Sequence, residues 1–152
     1  MIVPDINLLL YAYDSSSPYH AKASAWWQDC LSGSETMGLP AVVVFGFLRL
    51  STNPRVFNSP MTPAEASQHV RSWLAQSAVQ MLQPGSEHIE QVLKSLEKLG
   101  TTGNLVTDAQ IAALAGEYDA VLHTNDADFS RFSGLRWFNP LTGAASGKLR
   151  TE

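Results

Sequence analysis

Apolar residues in this chain alternate between two kinds of block. Short runs such as MIVPDI, ETMGLP, AVQML, AVLHT and LRWF have the length of buried strands, most of them closed by Pro, Gly, Asp or Asn. Between them lie longer stretches with apolar positions at helical spacing. NLLLYAYD turns into a short helix directly after the first run. Ser17 as N-cap with Pro18 at the first helical position predicts a helix to about Leu31, stopping before Gly33. Pro40 opens the next helix, which contains VVVFGFLRL over residues 42–50. Thr62-Pro63 repeats the cap-plus-proline signal and predicts a helix to about Gln76. Ile89, Val92, Leu93, Leu96 and Leu99 mark a further helix that ends at Gly100. TTGNLV reads as a loop. Thr107 with Gln110 three residues on reads as a capping box, so the last long helix is expected to begin with Asp108.

Strands and helices thus alternate along a chain with no internal repeat and no linker-like stretch. The economical architecture is α/β: a parallel sheet with helices on both faces. Residues 1–141 are expected to form one domain, and the small, polar segment 142–152 to be a disordered C-terminal tail. At 152 residues the chain can bury a real core. No apolar run approaches the ~18 residues of a membrane span. The apolar N-terminus has no positive leader and contains Asp5, so no signal peptide is read. The single cysteine, Cys30, excludes an internal disulfide framework. These features favour a cytoplasmic protein without membrane contact.

The net charge of −4 changes the picture more. Proteins that rely on nonspecific nucleic-acid affinity are usually basic. A chain of this charge would handle nucleic acid through a small local site or through metal ions, which directs attention to the acids. In open parallel sheets, sites form at the carboxyl ends of the strands. Asp5 ends the first strand, Asp126 and Asp128 follow the AVLHT strand, and Asp108 stands at a helix start leading back to the same edge. Converging carboxylates raise one another's pKa unless a cation neutralises them. All-oxygen ligands favour Mg²⁺ or Mn²⁺ over Zn²⁺. Taken singly, Asp108 has an ordinary explanation as a first-turn acid, and Asp126 and Asp128 as turn residues. Asp5, an acid inside the apolar stretch IVPDINLLL, is costly to bury unless paired or metal-bound.

Asn7, Thr107, Thr124 and Asn125 surround these acids as short polar groups able to orient carboxylates or water. His123 lies near the acidic edge but at a strand end, where a structural role is the simpler one. Arg49, Arg55 and Arg71 are candidate phosphate contacts, with solvated or ion-paired roles equally open. Trp26 and Trp27 could stack on bases, although helical core or dimer packing is the simpler role.

VPDINLLLYAYD, FLRLSTNPRVF, GNLVTDAQIAALAGEYDAVLHTNDADFSRF and FNPL together resemble PIN-domain proteins, and more narrowly the VapC-type ribonuclease toxins of bacterial toxin–antitoxin pairs. The resemblance runs from about residue 1 to 141. It implies the PIN α/β/α sandwich with a five-stranded parallel sheet, and Mg²⁺- or Mn²⁺-dependent endonucleolytic cleavage of RNA by water, with tRNA or rRNA as the target. It places the family's acids on Asp5, Asp108, Asp126 and Asp128, the metal on Asp5, Asp108 and Asp126, and supporting polar groups on Asn7 and Thr124. Arg49 and Arg55 are the RNA-binding candidates. It further implies a homodimer and a VapB-type antitoxin as partner.

One departure stands out. Where the family usually carries a glutamate ahead of F-L-R, this chain has Gly46. An alternative reading is therefore a degenerate PIN domain that binds antitoxin or RNA with little or no cleavage. An aspartate-nucleophile phosphatase or phospho-receiver would need a downstream lysine near the site, and none lies between Lys98 and Lys148.

Overall fold

The computed structural model describes residues 1–100, 103 and 105–147. Five strands form one wholly parallel sheet: β1 (Ile2–Pro4), β2 (Met37–Pro40), β3 (Val79–Leu82), β4 (Val121–His123) and β5 (Trp137–Phe138). Their order is β3-β2-β1-β4-β5. Connections run outward in one direction from β1 to β2 and β3, and in the other from β4 to β5. The topological switch point therefore falls between β1 and β4, the place where ligands gather in such sheets. Register fixes the two strand ends side by side, with Pro4 opposite His123, and the Asp5 N–H donates to the His123 carbonyl at 2.9 Å.

Among the described residues six α-helices flank the sheet: α1 (Ile6–Tyr13), α2 (His20–Ser32), α3 (Ala41–Ser51), α4 (Pro63–Leu74), α5 (His88–Leu99) and α6 (Leu105–Glu117). The core beside the sheet is aromatic. Trp27, Phe47 and Trp73 are fully buried, and Trp73 meets both of the others edge-on at centroid distances of 5.4 and 4.8 Å. The Trp73 indole N–H donates to the Tyr13 hydroxyl at 2.7 Å, which satisfies a polar group that burial would otherwise penalise. In α3, Val43, Val44, Gly46 and Phe47 are buried while Phe45 is 66% exposed, so the all-apolar run faces the core on one side only. Among the described residues no helix is long and apolar enough to cross a membrane.

Two helix starts differ from the sequence expectation. α2 begins at His20 rather than Pro18. Ser17 uses its side chain to accept the Tyr19 N–H, and its carbonyl accepts from His20, so Ser17-Pro18 makes a turn instead of a cap. α6 begins by Leu105, ahead of the Thr107–Gln110 pair. Leu105 is buried and sits one turn before buried Ala109, so core packing extends the helix backward through the apparent box. Asp108 remains in the first turn but is not the first residue. The cap signal at Thr62 does hold: Thr62 and Glu65 form a reciprocal capping box, with Pro63 at the first position of α4.

After β5 the chain turns back, and Ala145 makes an antiparallel bridge to Phe138. Residues 142–147, expected within a disordered tail, are thus ordered against the sheet, with Ala145 buried, while residues 148–152 lie outside the described residues.

Candidate active site

Asp5 occupies the residue between β1 and α1, and the chain holds its carboxylate from two elements at once. As the N-cap of α1 it accepts the Ile6 N–H on Oδ1 at 2.7 Å. Its Oδ2 accepts the Thr124 hydroxyl, just past β4, at 2.9 Å. The Thr124 oxygen in turn accepts the Asp126 N–H at 2.9 Å. Asp126 caps a short 3₁₀ helix (Ala127–Arg131) by accepting the Asp128 N–H at 2.9 Å. One hydrogen-bonded relay therefore runs from Ile6 through Asp5, Thr124 and Asp126 to Asp128 across the switch point.

Asp5 and Thr124 are buried, at 4% and 2% exposure; Asp126 is half-buried and Asp128 exposed, so the relay leads from the interior to the opening. Asp108 joins from α6. Burial pushes the Asp5 carboxyl up to about 7; the charges of Asp108 and Asp126 push the same way, against the hydrogen bonds from Thr124 and Ile6. Burial likewise raises Asp108 to about 6, with Asp126 and Asp128 adding to it. The structure thus brings Asp5, Asp108, Asp126 and Asp128 into one electrostatic neighbourhood, and Thr124 into direct contact with it. Asn7 lies on the second residue of α1, half-buried, with no side-chain hydrogen bond among the described residues.

Tyr11 is a neighbour that the sequence reading did not single out. Burial raises its phenol; the Asn125 side chain opposes this, and the charges of Tyr19, Asp5 and Asp126 add to it. The signal was available: Tyr11 stands four residues after Asn7, so both share a face of α1. His123 is structural. Its Nδ1 accepts the Trp26 indole N–H at 3.0 Å, its ring packs on Phe138, and burial lowers it to about 4. Trp27 is core, and Cys30 is buried with its thiol pushed up to about 12 by burial first.

Arg49 and Arg55 lie elsewhere. α3 starts at the carboxyl edge of β2 and Arg49 is in its last turn, roughly 12 Å along the axis from that edge. Arg55 is exposed in the following loop. No hydrogen bond or ion pair among the described residues ties either side chain to the acids.

The donor set fits a hard divalent cation. Four carboxylates gather at one strand edge, and one is buried with only neutral partners. The ion pairs among the described residues, Met1 N-terminus with Glu35, His88 with Glu117 and Arg136 with Asp119, leave all four without a cation. As placed, no three His, Cys, Asp or Glu side chains among the described residues meet at metal-ligand spacing. A cation bound by Asp5, Asp108 and Asp126 would therefore need those carboxylates to approach one another more closely.

The PIN domain family profile matches residues 2–135. Ribonuclease VapC33 of Mycobacterium tuberculosis is 48% identical over 141 residues, covering 93% of this chain and 99% of that relative. Among solved structures, M. tuberculosis VapC20, described as a sarcin-ricin loop cleaving toxin, superposes with a TM-score of 0.68 at 18% identity, over 89% of this chain and 96% of its own. VapBC2 of Rickettsia felis, bound to a DNA fragment from its promoter, does so with a TM-score of 0.66 at 18% identity, over 91% and 98%.

Proposed function

This chain belongs to the PIN domain family, and on that premise we propose that it is an endoribonuclease, the toxin half of a VapBC-type toxin–antitoxin pair. The observation that carries the reading is the relay that holds buried Asp5 between Ile6 and Thr124, with Asp108, Asp126 and Asp128 around it and no cation among the described residues to offset them. The ribonuclease name of a relative 48% identical over nearly the whole chain supports RNA as substrate. Mg²⁺, or Mn²⁺ in its place, would be held by Asp5, Asp108 and Asp126 and would supply an acidified water and charge neutralisation at the scissile phosphate.

The chain's own groups do the rest. Thr124 ties the Asp5 carboxylate, by its hydroxyl, to the backbone that carries Asp126, by its oxygen. Asp128, at the open end of the relay, is placed to accept the proton of the attacking water. Asn7 and Tyr11, on one face of α1, orient water and substrate oxygens. Structured RNA, tRNA or rRNA, is the target, with Arg49 and Arg55 as outlying phosphate contacts. A VapB-type antitoxin is the partner, as the structural neighbour from R. felis contains one, and two copies form a homodimer acting in the cytoplasm. Residues 1–141 are the catalytic unit.

A second reading, RNA or antitoxin binding without cleavage, is favoured by one observation: Ile6 fills the space where a side chain at position 46 would stand. Incubation with total tRNA and rRNA in Mg²⁺, Mn²⁺ and EDTA separates the two. The ribonuclease reading expects cleavage in either metal, lost in EDTA and in Asp5→Ala. RNA that is bound but intact in both metals would sink it in favour of the second.

A further inference from the structure

We infer that the cleft between α5, α6 and the segment 131–135 is a phosphate-binding track that carries the RNA strand past the acidic site, gripped by Lys98 and Arg131. The inference rests on the ribonuclease reading and adds where the polymer runs.

The cleft has a volume of about 340 Å³. Ser95 and Lys98 line it from α5, Ala112 and Gly116 from α6, and Arg131 and Ser133 from the end of the 3₁₀ helix and the turn beyond. Lys98 Nζ reaches across to donate to Ser133 Oγ at 3.0 Å. Glu117 also lines the cleft, but its oxygens are engaged: Oε1 accepts the Gly85 N–H at 2.8 Å and Oε2 pairs with His88 at 3.2 Å. Among the described residues no carboxylate pairs with Lys98 or Arg131. Each stands in the last turn of its helix, where the negative end attracts a cation. That accounts for each one separately, and not for both lining a single concavity.

Position connects the cleft to the acids. Ala112 follows Asp108 by one α-helical turn, and Arg131 follows Asp128 by one 3₁₀ turn, so in both walls the cleft opens one turn beyond a site carboxylate on the same face. A chain of net charge −4 repels a polyanion overall, and a local cationic track beside the acids is what would hold it there. Guanidinium and ammonium beside two hydroxyls suit phosphodiester oxygens, independent of base identity.

The test measures binding of a labelled single-stranded RNA by fluorescence anisotropy across a potassium chloride series, in a full-length Asp5→Asn background that prevents cleavage. Adding Lys98→Ala and Arg131→Ala should weaken binding on the order of tenfold at low salt. It should also make the slope of log affinity against log salt shallower by about 1.4, two single-strand phosphates' worth. Both residues are exposed, and in the cleavage-competent chain the same pair of substitutions should lower the melting temperature only slightly and leave its response to Mn²⁺ unchanged. RNA affinity and salt slope equal to the parent would overturn the inference. So would loss of antitoxin binding with RNA binding intact, which would assign the cleft to a protein partner. A parent chain that neither binds nor cleaves RNA would overturn the ribonuclease reading itself.

Discussion

Ile6 packs its side chain onto the bare backbone of Gly46: a Cβ at position 46 would lie 2.4 Å from Ile6 Cδ1 and 3.1 Å from Cγ1. The contact joins α3 to the first residue of α1, whose N–H holds Asp5 Oδ1. Helix propensity alone favours alanine over glycine inside α3 by about 1 kcal/mol. Overpacking opposes it by roughly 1–3 kcal/mol and wins when the neighbour is a core side chain at sub-contact distance. Gly46→Ala is therefore expected to lower stability by about 1 kcal/mol and to weaken Mn²⁺ binding by displacing Ile6 and the Asp5 carboxylate. Ile6→Val removes Cδ1, so Ile6→Val/Gly46→Ala should recover much of both. A double-mutant cycle in urea unfolding, with Mn²⁺ titrations of all four proteins, reads the coupling. Additive effects would show that the two side chains do not compete for space.

Thr124 is expected to act on Asp5 in a way that pH reveals. Its buried hydroxyl donates to buried Asp5, and its oxygen accepts from the half-buried Asp126 backbone. Thr124→Val keeps the shape and loses both bonds, costing about 1–3 kcal/mol for the groups left unpaired. Losing a donor to the charged form raises the Asp5 pKa further, so the acid limb of the pH–rate profile should move to higher pH. Thr124→Ser should restore it. A Val variant with unchanged limb position would remove Thr124 from the site's electrostatics.

What could be read from the chain and what could not divide along physical lines. Strand identities, their alternation with helices and the edge carrying Asp5, Asp126 and Asp128 followed from run length and from where each run ends. Those signals are local and reflect burial. The local signals at Ser17 and Thr107 do not fix the helix starts, because a Ser, Thr or Asp side chain near a helix end can cap, turn or do neither. Only the neighbouring backbone decides: the Asp14 carbonyl receives Ser17, and the buried Leu105 extends α6. The Ile6–Gly46 contact and the Lys98–Ser133 bond join residues 40 and 35 positions apart, and nothing in either local pattern announces its partner.

Asp108→Asn should exchange activity for stability. Asp108 sits among Asp126 and Asp128 with its carboxyl raised to about 6, first by burial and then by their charges. At pH 8 without a divalent cation, neutralising it removes repulsion that the fold otherwise carries. A gain of about 1 kcal/mol is expected after discounting for its half-exposed setting. Cleavage should fall by two orders of magnitude or more, since a ligand is lost with no change in shape. Urea midpoints in EDTA and RNA cleavage in Mg²⁺ check the two halves. A variant less stable than the parent at pH 8 would mean that the Asp108 carboxylate makes favourable contacts outweighing the repulsion.

The last expectation concerns how stability follows pH with and without a cation. Asp5 titrates near its ordinary 3.8 in the unfolded chain and at about 7 in the fold. The folded state thus holds the proton more tightly, and between about pH 4 and pH 7 it binds more protons than the unfolded chain. Stability is full below the unfolded value and falls as pH rises through that window, by an amount on the order of 4 kcal/mol for the Asp5 shift alone. Asp108, raised to about 6, falls in the same direction. In EDTA the melting temperature should therefore drop steadily from pH 5 to pH 8, opposite to a protein whose acids are salt-bridged. Mn²⁺ competes with protons for the same oxygens, so its stabilising effect should be absent near pH 5 and largest near pH 8. The pH at which Mn²⁺ begins to stabilise should also mark the acid limb of RNA cleavage. Melting curves at four pH values with EDTA or Mn²⁺ decide it. A flat or rising profile in EDTA would mean that Asp5 is ionised and already compensated inside the fold.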